Sequence, residues 1–90
     1  MEKRQFSRIA KALADPRRVE MLQMIGEEDE IACAQLKDRQ RISPATMSHH
    51  IKELESAGLV DVRRESKFIY LHLRRPVWKA YLKELKKIGR

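Results

Sequence analysis

The sequence predicts a mostly α fold with a small β-hairpin (α+β): four helices, two strands and a last helix. Three observations carry this. Apolar residues recur at helical spacing up to Gly58, the period drops to two from Leu59 to Leu73, and helical spacing returns after Pro76. The best-marked element is the fourth helix. Ser43 can cap it through its hydroxyl, and Pro44 suits the first helical position. At the far end Gly58 can take the left-handed conformation that sets Leu59 against Leu54.

Between those caps, Met47, Ile51 and Leu54 form one narrow apolar stripe. The opposite face carries Ala45, Thr46, Ser48, His49 and Lys52, with no carboxylate before Glu53. Solvated helices usually mix Glu and Lys at i,i+4 spacing. A leading half built from small side chains, hydroxyls, an imidazole and a lysine instead suits entry into a DNA major groove. The plain alternative is a polar helix with no partner.

The remaining elements follow in order. Phe6, Ile9, Ala10 and Leu13 give an amphipathic first helix over about residues 3–14. Asp15-Pro16 opens a second as cap and first residue. Its Val19, Met21, Leu22, Met24 and Ile25 leave little polar face, so it reads as the central core helix, ending at Gly26. Residues 27–30 are an acidic turn expected to point away from DNA, and residues 31–38 read as a short third helix. Arg39-Gln40-Arg41 then leads to the cap Ser43, which makes a helix-turn-helix. After Gly58, Leu59, Val60 and Val62 begin a strand, and Phe68 to Leu73 form a second, rich in β-forming residues. The tip between them is basic, which makes the hairpin a wing, with Arg64 and Lys67 placed to reach phosphate. Ser66 stands where glycine would turn more easily. The last helix, about residues 76–89, carries Trp78, Tyr81, Leu82, Leu85 and Ile88 on one stripe.

Ninety residues make one small domain, 1–90, and such a chain often supplements its core by oligomerising. The second to fourth helices and the wing base are expected to supply the core. The terminal helices would then be dimerisation elements, through Phe6, Ile9, Leu13, Trp78, Tyr81, Leu82 and Leu85; the alternative is that they cover their own domain. Twenty Lys and Arg against thirteen Asp and Glu give a net charge of +7, which favours a polyanionic partner. The single cysteine, Cys33, excludes an internal disulfide and fits a reducing compartment. No apolar run approaches the roughly 20 residues needed to span a bilayer, so a cytoplasmic protein with no membrane partner is expected.

The segments Ala12 to Arg18, Ser43 to Leu54 with its Ser48-His49-His50, Ala57-Gly58-Leu59-Val60, and Arg63-Arg64-Glu65 leading to Tyr70 resemble the ArsR/SmtB family of prokaryotic winged-helix repressors. The resemblance covers nearly the whole chain. It implies a homodimer formed by the terminal helices and a recognition helix on an operator near a promoter. Metal-sensing members place a Cys-x-Cys pair at the start of the third helix; here those positions are Ala32 and Ala34, with Cys33 between them. Others use Asp and His on the last helix, but residues 76–90 contain no His, Asp or Cys. No metal and no cofactor are therefore expected. Gln40 and Arg41 replace an apolar residue and a glycine usual in the family's turn, and Arg41 is placed to add a phosphate contact.

The expected function is a sequence-specific, homodimeric transcriptional repressor on double-stranded DNA, binding an inverted-repeat operator and unresponsive to metal. Ser43, Ala45, Thr46, Ser48, His49 and Lys52 would face the groove, with Arg41, Arg64 and Lys67 on the backbone. A winged-helix architectural or interaction module is one alternative, and a redox-responsive repressor using Cys33 is another. No catalytic constellation, phosphate loop or paired carboxylates point to an enzyme.

Overall fold

The caps read from the sequence set the two central helices. The computed structural model describes all 90 residues. In it α2 (Pro16–Gly26) begins at Asp15, whose carboxylate accepts from the amides of Arg17 at 2.8 Å and Arg18 at 3.3 Å. Likewise α4 (Pro44–Ser56) begins at Ser43, whose Oγ accepts from the Thr46 amide at 3.2 Å. It ends as expected: Gly58 has φ +79°, its amide donates to Glu55 O at 2.9 Å, and the Leu59 amide donates to Leu54 O at 3.1 Å. Leu54 and Leu59 are fully buried beside this stop.

The other helices are α1 (Lys3–Ala12), α3 (Cys33–Gln40) and α5 (Arg75–Leu85), so both terminal helices are shorter than expected. After α5 the chain continues as turns, which leaves Ile88 72% exposed rather than on a helical stripe. Gly26 does not stop α2 with a left-handed turn. It remains helical, with Glu27 following in the right-handed region. A Cβ there would do no more than touch the end of the Leu73 side chain, at 3.4 Å. Arg75 closes that helix end by donating to Gly26 O at 2.9 Å.

A third strand, β1 (Ile31–Ala32), occupies the start of the expected third helix. It pairs antiparallel with β3 (Phe68–Leu73), which also pairs with β2 (Val60–Glu65), in the order β1-β3-β2. Ile31, opposite Leu71, is buried by this pairing, and the outer edge of β3 gains backbone partners. The wing strands run further than the sequence suggests and leave only Ser66 and Lys67 as the turn. Ser66 takes φ +57°, the conformation glycine would adopt more easily.

The core is a single cluster of sixteen residues that draws on every helix. This corrects the expected division between core and interface. Ile9 and Tyr81 are not spare surface; they are 0% and 5% exposed within their own domain. α1 lies along the C-terminal half of α4, where Gln5 donates to Ala57 O and Arg8 to Ser56 O, so Ile9 and Ala12 cover that half of the helix. Tyr81 packs on Phe6 with ring centroids 5.2 Å apart. A domain this small has too few apolar residues to leave either side chain outside. Conversely Val19 of α2 is 42% exposed, because no neighbour covers that side of the helix.

Candidate nucleic-acid interface

Residues 41–43 join α3 to α4. Arg41 takes φ +52° and ψ +48° and its amide donates to Lys37 O at 2.9 Å, so it closes α3 in the left-handed conformation. An L residue there costs about 1–2 kcal/mol, and the turn forms nonetheless with the Arg41 side chain exposed. Gln40 tucks inward. It is 5% exposed, its Nε2 donates to Met24 Sδ at 3.7 Å, and its Oε1 has no partner. Arg17 adds a donor bond to the Gln40 carbonyl at 2.9 Å, which ties the start of α2 to the turn.

The N-terminal half of α4 stands clear of the core. Ser43, Ala45, Thr46, Ser48, His49 and Lys52 are all exposed, while Met47, His50 and Ile51 between them are buried. The hydroxyls of Ser43 and Thr46 are joined, Ser43 donating to Thr46 Oγ1 at 2.9 Å. Ser43 therefore spends its hydrogen inside the first turn, while the Thr46 hydroxyl keeps its own proton to donate.

His50 is the residue on this helix whose part was missed. It is 6% exposed, and its Nδ1 accepts from Arg18 at 3.3 Å. Arg18 also donates to Ala12 O at 2.7 Å and lies near the Asp15 carboxylate. Burial holds the His50 pKa below the ordinary imidazole range, against the pull of Asp15. The signal for burial was present in the sequence: 47, 50, 51 and 54 complete the i, i+3, i+4, i+7 set. Arg18 thus fastens the α1–α2 corner to the middle of α4.

The strand register divides the wing into two faces. Asp61 opposite His72 and Arg63 opposite Tyr70 lie on one side. His72 contacts Asp61 at 3.2 Å, and Arg63 sits over the Tyr70 ring at 4.4 Å. Arg63 also reaches Glu30 at 2.8 Å and pairs with Glu65, so two carboxylates occupy it and hold its pKa above the ordinary guanidinium value. On the other side are Val60, Val62 and Arg64 with Ile69, Leu71 and Leu73, turned toward the helices. Arg64 and the tip residue Lys67 are exposed and have no carboxylate partner, whereas Arg63, on the opposite face of the wing, is neutralised. Cys33 is half-buried at the start of α3, and burial pushes its thiol pKa up, which disfavours the reactive thiolate.

A helix-turn-helix whose second helix projects a small, polar, carboxylate-free face beside a basic hairpin defines a winged-helix regulator. The comparisons agree. A helix-turn-helix domain model matches residues 13–63. A Staphylococcus aureus homolog of the cadmium resistance transcriptional regulatory protein CadC is 31% identical, with 92% of this chain and 74% of the relative covered. Among solved structures, HlyU of Vibrio cholerae superposes with a TM-score of 0.77 at 28% identity, covering 99% of this chain and 98% of that one. The homodimeric winged helix-turn-helix DNA-binding domain of a possible ArsR-family regulator from Mycobacterium bovis superposes with a TM-score of 0.76 at 26% identity, covering 94% and 81%. The chain belongs to the ArsR/SmtB family of winged-helix transcriptional regulators.

Proposed function

We propose that this chain acts in the cytoplasm as a single-domain, homodimeric repressor that occupies an inverted-repeat operator in double-stranded DNA. The observation that carries the reading is the leading half of α4: seven exposed residues from Ser43 to Lys52 without a carboxylate, on a helix whose ends are set by the Ser43 cap and the Gly58 stop. Thr46, Ser48, His49 and Lys52 read base edges, with Ala45 against apolar base surface. Ser43 fixes the first turn, and Arg41, Arg64 and Lys67 meet phosphates.

Dimerisation rests on the apolar residues left outside the core. Leu82 and Leu85 are 38% and 37% exposed, and Phe6, Leu13 and Trp78 are half-buried beside them in the α1/α5 layer. Two copies related by a two-fold axis present two recognition helices, so the half-sites lie about 34 Å apart along one face of DNA. Release is not driven by metal: the third helix begins with Cys33 between two alanines, and α5 offers no His, Asp or Cys. Nor does any arrangement of residues suggest a catalytic step.

Selection of bound sequences from a random double-stranded pool, followed by run-off transcription from a promoter carrying the selected site, tests this reading. An enriched inverted repeat and lower transcript yield are expected. A pool that stays random would favour an architectural module instead.

A further inference from the structure

Between α4, the start of α3 and the inner face of the wing lies a groove of about 220 Å³. Its floor is apolar, made by Met47, Ile51, Val62 and Ile69. Its rim carries Lys37, Lys52 and Arg64, against one carboxylate, Glu55. None of these three cations takes part in an ion pair, whereas Arg63 on β2 and Arg74, just after β3, are paired with carboxylates. Unpaired positive charge therefore rims an apolar hollow.

DNA accounts for the cations, and the core accounts for Met47 and Ile51, but neither uses the exposed parts of Val62 and Ile69. A phosphate needs donors and positive charge and gains nothing from Met47, Ile51, Val62 or Ile69. An apolar body with a single acid group uses both. Apolar cavities of about 150 Å³ hold one benzene ring, so this groove has room for one ring and its substituent. We propose that the groove binds a small aromatic carboxylate and that occupancy weakens operator binding. The ring lies on the floor and the carboxylate meets Lys37 and the Lys52/Arg64 pair. Competition follows because Ser48, Lys52 and Arg64 line the groove and are also assigned to DNA. The effector role rests on that assignment; the ligand site itself does not.

Titration of the labelled full chain with benzoate, without DNA, followed by amide NMR shifts, tests the site. Saturable shifts at Met47, Ile51, Val62 and Ile69 are expected, with no such response to benzylamine, which has the ring but the opposite charge. Lys37 is not assigned to DNA, so Lys37→Gln should raise the benzoate Kd about fivefold and leave operator affinity unchanged. Ile69→Trp, which fills the hollow, should abolish the shifts. Saturating benzoate should raise the operator Kd of the native chain about tenfold. Absence of saturable shifts, or benzylamine binding as well as benzoate, overturns the site. Benzoate binding that leaves operator affinity unchanged overturns the effector role alone. If the native chain binds no DNA yet binds benzoate through Lys37, the DNA reading fails and the groove stands.

Discussion

Along the leading half of α4 the side chains that meet solvent are small and polar, whereas on α5 they include Leu82 and Leu85. The two regions also divide labour differently. On α4 the division runs along the helix axis and around it: Met47, His50, Ile51 and Leu54 face inward, and the outward residues are exposed from the first turn to Lys52. In the α1/α5 layer one apolar surface is shared between two tasks, with Ile9 and Tyr81 completing the domain's own core and Leu82 and Leu85 left outside. A polar helix face thus has one role to fill. An apolar face in a small domain has two, and only the packing decides which residue fills which.

The largest effect that tests this division is on folding. Ile9→Ala should lower unfolding free energy by about 2–5 kcal/mol, while Leu85→Ala should change it by less than about 1 kcal/mol, both read by urea denaturation. Equal losses would show that the layer is not divided as described. Association is the complement. Trp78→Glu together with Leu82→Glu should give folded monomer in sedimentation, with much weaker operator binding. An unchanged sedimentation coefficient would place the dimer contact elsewhere.

That division also marks where the sequence stops being informative. Ser43, Pro44 and Gly58 act locally, through the chain's own backbone, so the limits of α4 could be read from them. Ile9 and Leu85 follow the same helical spacing, and spacing states which residues share a face, not which body covers it. β1 was missed because two residues carry no period; Ile31 is extended only because β3 lies beside it. The network of Arg18, His50 and Ala12 joins three separate segments, and only the burial of His50 was implied by spacing. Exposure of eight of the nine residues expected at DNA was legible because each lies opposite the narrow apolar stripe of α4 or in a charged turn; Arg64 instead extends β2 on its helix-facing side and is exposed because it is near the tip.

Smaller effects sharpen the contrast within α3 and α4. Gln40 holds a buried Oε1 with no partner, at a position that resembles an apolar one in the family. Gln40→Leu should therefore raise stability by about 1 kcal/mol or more, measured by thermal or urea unfolding. A loss of stability would mean that the amide has a role its contacts do not reveal.

His50 should make a modest, pH-dependent contribution. Its folded pKa lies below the unfolded value of about 6.5. The unfolded chain therefore takes up the proton first. Stability is complete above that value and falls as pH drops below it toward the folded pKa. The groups facing the ring are Asp15, Arg17, Arg18 and His49. The lowered carboxylates Asp15, Glu30 and Glu84 lose their contributions only at more acid pH. Unfolding curves between pH 7 and 5 should show a decline in the native chain that is reduced in His50→Gln; an identical decline would assign it to other groups.

The central claim is that the exposed half of α4 reads sequence while the wing only holds the backbone. Equilibrium binding of His49→Ala and Lys67→Ala to the selected operator and to random DNA, across a salt series, tests it most directly. Each phosphate contact contributes about −0.9 to the slope of log K against log salt, so Lys67→Ala should weaken both DNAs alike and flatten the slope. His49→Ala should lose about 1–3 kcal/mol on the operator and leave random-sequence binding and the slope near native. Equal losses on both DNAs for both variants would contradict the account.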